Sequence, residues 1–175
     1  NAGRITKAQF LDLNEKIGGL DIDANFTAER MEADPAARRA AYETGKVTNG
    51  GGGLASVPIL DVDVNYTDQS TVGDVHMKYY HFSTRERLIN ANGHADNMVM
   101  WNGVFGPRAS VITEAFVRMA AWLDAITADT GDAPLSAKVV ANKPANVTDG
   151  CWTGSAAPFT FIAEPQLLGD VGTSA

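Results

Sequence analysis

Several things are scarce in this sequence, and each scarcity excludes something. One cysteine, Cys151, occurs in 175 residues, so no thiolate pair is present to hold a metal. The three histidines show no paired ligand spacing with it, which removes the usual zinc frameworks. Basic residues are few: 14 Lys and Arg against 21 Asp and Glu give a net charge of −7, and Arg38-Arg39 is the densest basic pair. A nucleic-acid surface needs clustered Lys and Arg and is therefore not expected. No apolar run approaches the ~20 residues that cross a bilayer, so no membrane span is expected. The opening "NAGRITKAQF" reads as the start of a helix and not as a secretory leader. "NGGGGL" has glycines but lacks the Lys-Ser/Thr and the strand-to-helix setting of a phosphate-cradling loop. Internal repeats are absent.

What is present is enough to fold. Apolar residues make up 45% and charged residues 20%, which fits a chain that buries a core. Ile5 to Ile17 has roughly helical apolar spacing and ends at Gly18-Gly19. Asp34-Pro35 has the chemistry of an N-cap followed by proline at the first helical position. Asn49 to Ser56 reads as a glycine-rich loop or hinge. Pro58 to Tyr66 is the best strand, with Pro58 at the entry where no central ladder bond is lost. Val75 to Ala91 reads as a helix and Asn97 to Trp101 as a short buried strand. Ser110 to Ala128 is the clearest helix, with Val111, Ala115, Met119, Trp122, Leu123 and Ile126 on one stripe.

Strand, helix, strand, helix between Pro58 and Ala128 is the pattern of a parallel-sheet α/β unit. Residues 1–56 read as a helical, lid-like insertion, 57–130 as the α/β core and 131–175 as a loop-rich wrap. The strands are too few for a complete doubly wound sheet, so the chain is expected to be the C-terminal part of a longer protein.

Ligands of open α/β sheets sit beyond the carboxyl ends of the strands. Asp68 falls there, and Asp74 and His76 follow in the same loop. A carboxylate beside an imidazole is the supporting half of a nucleophile–base–acid triad, because the acid fixes the ring's tautomer. The plainer reading makes Asp74 a helix N-cap and His76 a first-turn surface residue. His94 is the rival histidine, and His94 and Asp74 are the second choices for the catalytic roles. His94 precedes the second strand and falls at the opposite edge of a parallel sheet, where its plain role is support of the Asn92-Gly93 turn. His81 is expected to pack along a helix. Trp101 and Phe105, in "WNGVFGPR", could present an aromatic rim to a substrate, or Trp101 could simply fill the core.

"DIDANFTAERME" carries Asp21, Asp23, Asn25, Thr27, Glu29 and Glu32 at positions 1, 3, 5, 7, 9 and 12 of a calcium loop. The sixth position is Phe26, where an EF-hand requires glycine. A bound Ca²⁺ is therefore the lesser expectation, a solvated acidic loop the greater.

The blocks "ITKAQFLDLNEKIGGLDID", "PILDVDVNYTD", "GDVHMKYYHFSTRERL", "NGHADNMVMW" and "AKVVANKPANVTDGCW" together resemble a bacterial family of secreted proteins related to α/β-hydrolases of the tannase and feruloyl-esterase kind. The resemblance covers nearly the whole chain and corresponds to the C-terminal part of such proteins. It implies an α/β-hydrolase-like doubly wound sheet, with a Gly-x-Ser-x-Gly elbow and a signal peptide upstream. This sequence holds no such elbow: "TGSAA" lacks the second glycine and a preceding strand. Asp68 matches the place where relatives carry the acid after the seventh strand. The catalytic histidine usually follows the last strand, yet no histidine follows "NMVMW". The choice therefore lies among His76, His94 and His81, with His76 preferred on sheet geometry. The resemblance also implies a disulfide from Cys151 to a cysteine outside the chain. Three N-x-S/T sequons, at Asn25, Asn65 and Asn146, accord with secretion.

Two functions follow as expectations. One is part of a secreted serine esterase acting on aromatic or polyester-like carboxylic esters, with no cofactor, its serine supplied by the upstream part of the same protein. The other is a non-catalytic α/β-hydrolase-like domain used for binding or assembly.

Overall fold

The computed structural model describes residues 4–63, 79–103, 108–154 and 158–167. The chain divides after Val47 into two compact units.

The first unit is built from local signals. Helix α1 (Lys7–Lys16) begins at a capping box: the Thr6 hydroxyl accepts from the Gln9 amide, and the Gln9 side chain accepts from the Thr6 amide. A minimal antiparallel hairpin follows, β1 (Gly19–Leu20) against β2 (Phe26–Thr27). Helix α2 (Pro35–Glu43) starts as its sequence dictates, with Asp34 accepting from the Ala36 and Ala37 amides and proline in the first turn. The apolar residues Phe10, Leu11 and Leu13 of α1 are all exposed.

Among the described residues, the second unit holds a four-stranded mixed sheet in the order β3-β4-β5-β6. Strand β3 (Ile59–Asp63) leads into α3 (Tyr79–Asn92), which leads back to β4 (Met98–Gly103). β4 runs parallel to β3, with Asp61 opposite Met100 and Asp63 opposite Asn102. Helix α4 (Arg108–Ala128) and the short α5 (Leu135–Ala141) then lead to β5 (Gly150–Thr153), parallel to β4. β6 (Thr160–Ala163) closes the sheet antiparallel to β5.

Side chains alternate across a strand, and the two faces are covered by different helices. Met98 and Met100 pack with Ile59 and with Leu88 of α3. Val99 and Trp101 pack with Leu60 and Val62 and with Val111, Trp122 and Val139 of α4 and α5. Of the apolar stripe expected on α4, Val111 and Trp122 are wholly buried and Ala115 and Ile126 pack beside them, while Leu123 is partly exposed.

Within the segment expected to be a loop-rich wrap, the described residues form α5, β5 and β6. "GCWT" is too short for its alternation to register in the sequence, and its pairing is decided by aromatic packing. Trp152 and Phe161 lie on adjacent strands and both contact Trp101, with ring centroids 5.7 and 5.2 Å away. Gly150 permits this approach: a Cβ there would lie 2.4 Å from the Phe161 ring.

Candidate active site

Strand β3 places two acids on one face. Asp61 and Asp63 are two residues apart, so both point toward α3, on the side occupied by Ile59. Among the described residues, His81 in the first turn of α3 meets them. Its Nδ1 lies 2.7 Å from Asp61 Oδ2 and its Nε2 lies 3.6 Å from Asp63 Oδ2. The Nδ1 contact is at ion-pair distance but without the alignment of a hydrogen bond. The imidazole is 7% exposed and Asp63 8%, whereas Asp61 keeps 32% of its side-chain surface. An imidazole flanked by carboxylates can be held in one orientation and can exchange a proton without losing its electrostatic support. The cluster stands at the carboxyl end of β3, the end at which α/β sheets bind their ligands.

One turn along α3, Arg85 forms a two-pronged pair with Asp149, Nη1 to Oδ2 at 2.8 Å and Nη2 to Oδ1 at 2.7 Å. Asp149 also accepts from the Met100 amide at 2.9 Å and the Gln166 amide at 3.2 Å. Burial pushes the Asp149 carboxyl up, but the Arg85 hydrogen bonds, the Met100 amide, the Arg85 charge and the Gln166 amide outweigh it. The carboxyl is held below the usual carboxylate range. A cavity of about 580 Å³ opens beside this pair, by the amino ends of β4 and β5, with Ile89, Lys143 and Glu164 among its walls. It lies toward the other end of the sheet from Asp63.

A family model describing a tannase-like family of unknown function, DUF6351, matches residues 1–173. The chain belongs to this family. No curated protein and no solved structure matches it. The tannase-like chain has an α/β fold, a mixed sheet flanked by helices, consistent with an α/β-hydrolase-like architecture. It carries a buried His–Asp pair. No helix among the described residues is long and apolar enough to cross a membrane.

The residues singled out in the sequence are distributed as follows. Asp68, Asp74, His76 and Phe105 lie outside the described residues. His94 precedes β4, at the amino end of the sheet, where its Nδ1 accepts from the Asp96 amide at 3.3 Å. Trp101 is wholly buried, and its indole N–H donates to the Thr148 carbonyl at 2.9 Å. His81, expected to pack along a helix, does so, and in addition meets Asp61 and Asp63. Those two acids had a signal available: "ILDVD" puts carboxylates at alternate positions of an apolar strand, where one face must accommodate both.

The acidic loop has no EF-hand frame: a hairpin follows α1, and no helix begins again before Pro35. Phe26 occupies a strand of that hairpin. Asp21 Oδ1 accepts from the Asp23 and Asn25 amides, each at 2.9 Å, and from the Asn25 side chain, so this carboxylate closes the turn. The Asn25 backbone and side-chain bonds, offset slightly by burial and aided by the Asp23 amide, hold its carboxyl below the usual range. Asp23 and Glu32 join it in no metal cage: among the described residues no group of three or more His, Cys, Asp or Glu is arranged to hold an ion. The disulfide expected of Cys151 is corrected to this extent: it is the single cysteine of the 175 residues, so none can form within them, and its Sγ lies 3.1 Å from Glu164 Oε1.

Proposed function

We propose that the chain supplies the acid–base half of a serine-type carboxylic ester hydrolase. The observation that supports this best is the His81 imidazole set between Asp61 and Asp63 at the carboxyl end of an α/β sheet. Membership of a tannase-like family supports the same class. In this reading a serine from sequence N-terminal to the chain attacks the ester carbonyl. His81 takes the hydroxyl proton and returns it to the leaving alcohol, water then releases the acyl group from the serine by the same proton path, and the Asp61 charge beside Nδ1 stabilises the imidazolium. Such chemistry is carried by side chains and needs no cofactor. The substrate is a carboxylic ester with an aromatic or polyester-like acyl group, and the three sequons together with the family resemblance support a location outside the cytoplasm. The other assignment gives the base role to His76 with Asp68.

The test is hydrolysis of p-nitrophenyl esters by the full-length protein. His81→Ala is expected to lower kcat at least about a hundredfold while the protein stays folded. Full activity in His81→Ala, with loss in His76→Ala, moves the role to His76 and Asp68. A second reading, a non-catalytic binding or assembly domain, is favoured by the depth of the imidazole, which has only 7% of its surface exposed. A fluorophosphonate probe separates the two: labelling of the intact protein supports the hydrolase, and an unlabelled folded sample supports the binder.

A further inference from the structure

We infer that Asp149 is the positioning residue that fixes His81 against Asp61. The inference rests on the reading of His81 as the site's histidine.

His81, Arg85, Leu88 and Asn92 fall at i, i+4, i+7 and i+11, so they form one stripe of α3. Each is held. Leu88 is wholly buried against Met98 and Met100. Asn92 Nδ2 donates to the Gly50 carbonyl at 2.9 Å, at the far end of the helix. Arg85 takes both oxygens of Asp149. Of these three anchors, Arg85 is the nearest to His81, about one 5.4 Å turn away. A two-pronged guanidinium–carboxylate pair fixes orientation as well as distance, so it sets the rotation of the first turns of α3.

The same carboxylate also reaches the strand beside the other partner of the contact. Asp149 Oδ1 accepts from the Met100 amide, and Met100 stands opposite Asp61 in the β3–β4 register. Thus one side chain grips the helix turn beneath the imidazole and the strand residue beside its carboxylate. A shift at Asp149 moves α3 and β4 relative to each other, and the His81–Asp61 separation changes with them. Leu88 touches Met100 only by apolar packing, which sets no direction, and the Asn92 side chain bonds to the Gly50 and Leu88 carbonyls.

The experiment compares Asp149→Asn with Asn92→Ala in the full chain. The ring nitrogen and proton resonances of His81 are recorded by NMR; His81→Asn assigns them among the three histidines. Asp149→Asn is expected to move the His81 ring signals, and Asn92→Ala, which loosens the distant end of α3, to leave them in place. In an active full-length protein, Asp149→Asn is further expected to lower kcat about tenfold with KM unchanged. Should Asp149→Asn fail to fold, Arg85→Lys keeps the charge but loses the fork and is expected to shift the same signals. Unchanged His81 signals in a folded Asp149→Asn or Arg85→Lys protein overturn the inference, as does an equal shift in Asn92→Ala. The ring signals need no turnover, so an inactive wild-type protein defeats the hydrolase reading while the placement of His81 is still decided by the spectra.

Discussion

Arg85 and Asp149 meet through two hydrogen bonds of 2.8 and 2.7 Å, with side chains only 21% and 17% exposed. They come from a helix and from the approach to a strand, distant in sequence, and they join α3 to β4 and to the segment after β6. Because Asp149 titrates lower in the folded chain than in the unfolded one, its contribution to stability is complete above the unfolded value of about 4. That contribution is lost as the pH falls through the folded value. Urea unfolding followed from pH 6 downward should show stability declining below about pH 4. Asp149→Asn should be less stable at pH 6 and should lose part of that acid dependence.

Trp122 and α5 offer a test of a buried polar contact. The indole N–H of the wholly buried Trp122 donates to the Val139 carbonyl at 2.8 Å. Val139 lies in the last turn of a seven-residue helix, where carbonyls lack partners within the helix. Trp122→Phe keeps an aromatic ring but leaves that carbonyl unpaired and the site underfilled. A loss of about 2–3 kcal/mol in urea unfolding is expected, and Trp122→Leu should lose more.

Gly50 is required by a close approach. Its φ is +81°, and a Cβ there would sit 2.1 Å from the Arg87 carbonyl of α3. Gly50→Ala must strain its own backbone and push α3 away, while weakening the Asn92 bond to the Gly50 carbonyl. The variant should lose more than about 1 kcal/mol. Gly52→Ala is the control: its φ is also positive, but nothing lies within 4 Å of the added carbon, so its loss should be the smaller of the two.

The order of strand and helix, the Asp34 cap and most of the α4 stripe were legible in the sequence because they rest on local signals. Capping needs only neighbours in the chain, and a 21-residue helix repeats its periodicity often enough to be read. The two short C-terminal strands were not legible, since four residues carry little pattern and their pairing depends on Trp101, Trp152 and Phe161 coming together. The calcium spacing was legible but misleading: the acids had the right intervals, while Asp21 spends its carboxylate on the turn itself.

By itself, then, the amino-acid sequence determined an acidic α/β chain of tannase-like kind, with acids alternating along one apolar strand. Only the tertiary structure decided which histidine those acids meet, and that Arg85, one turn along the same helix, meets Asp149. The reason is physical: caps and periodicities act between residues a few positions apart, whereas the His81 cluster and the Arg85–Asp149 pair exist only once α3 has been laid across the sheet.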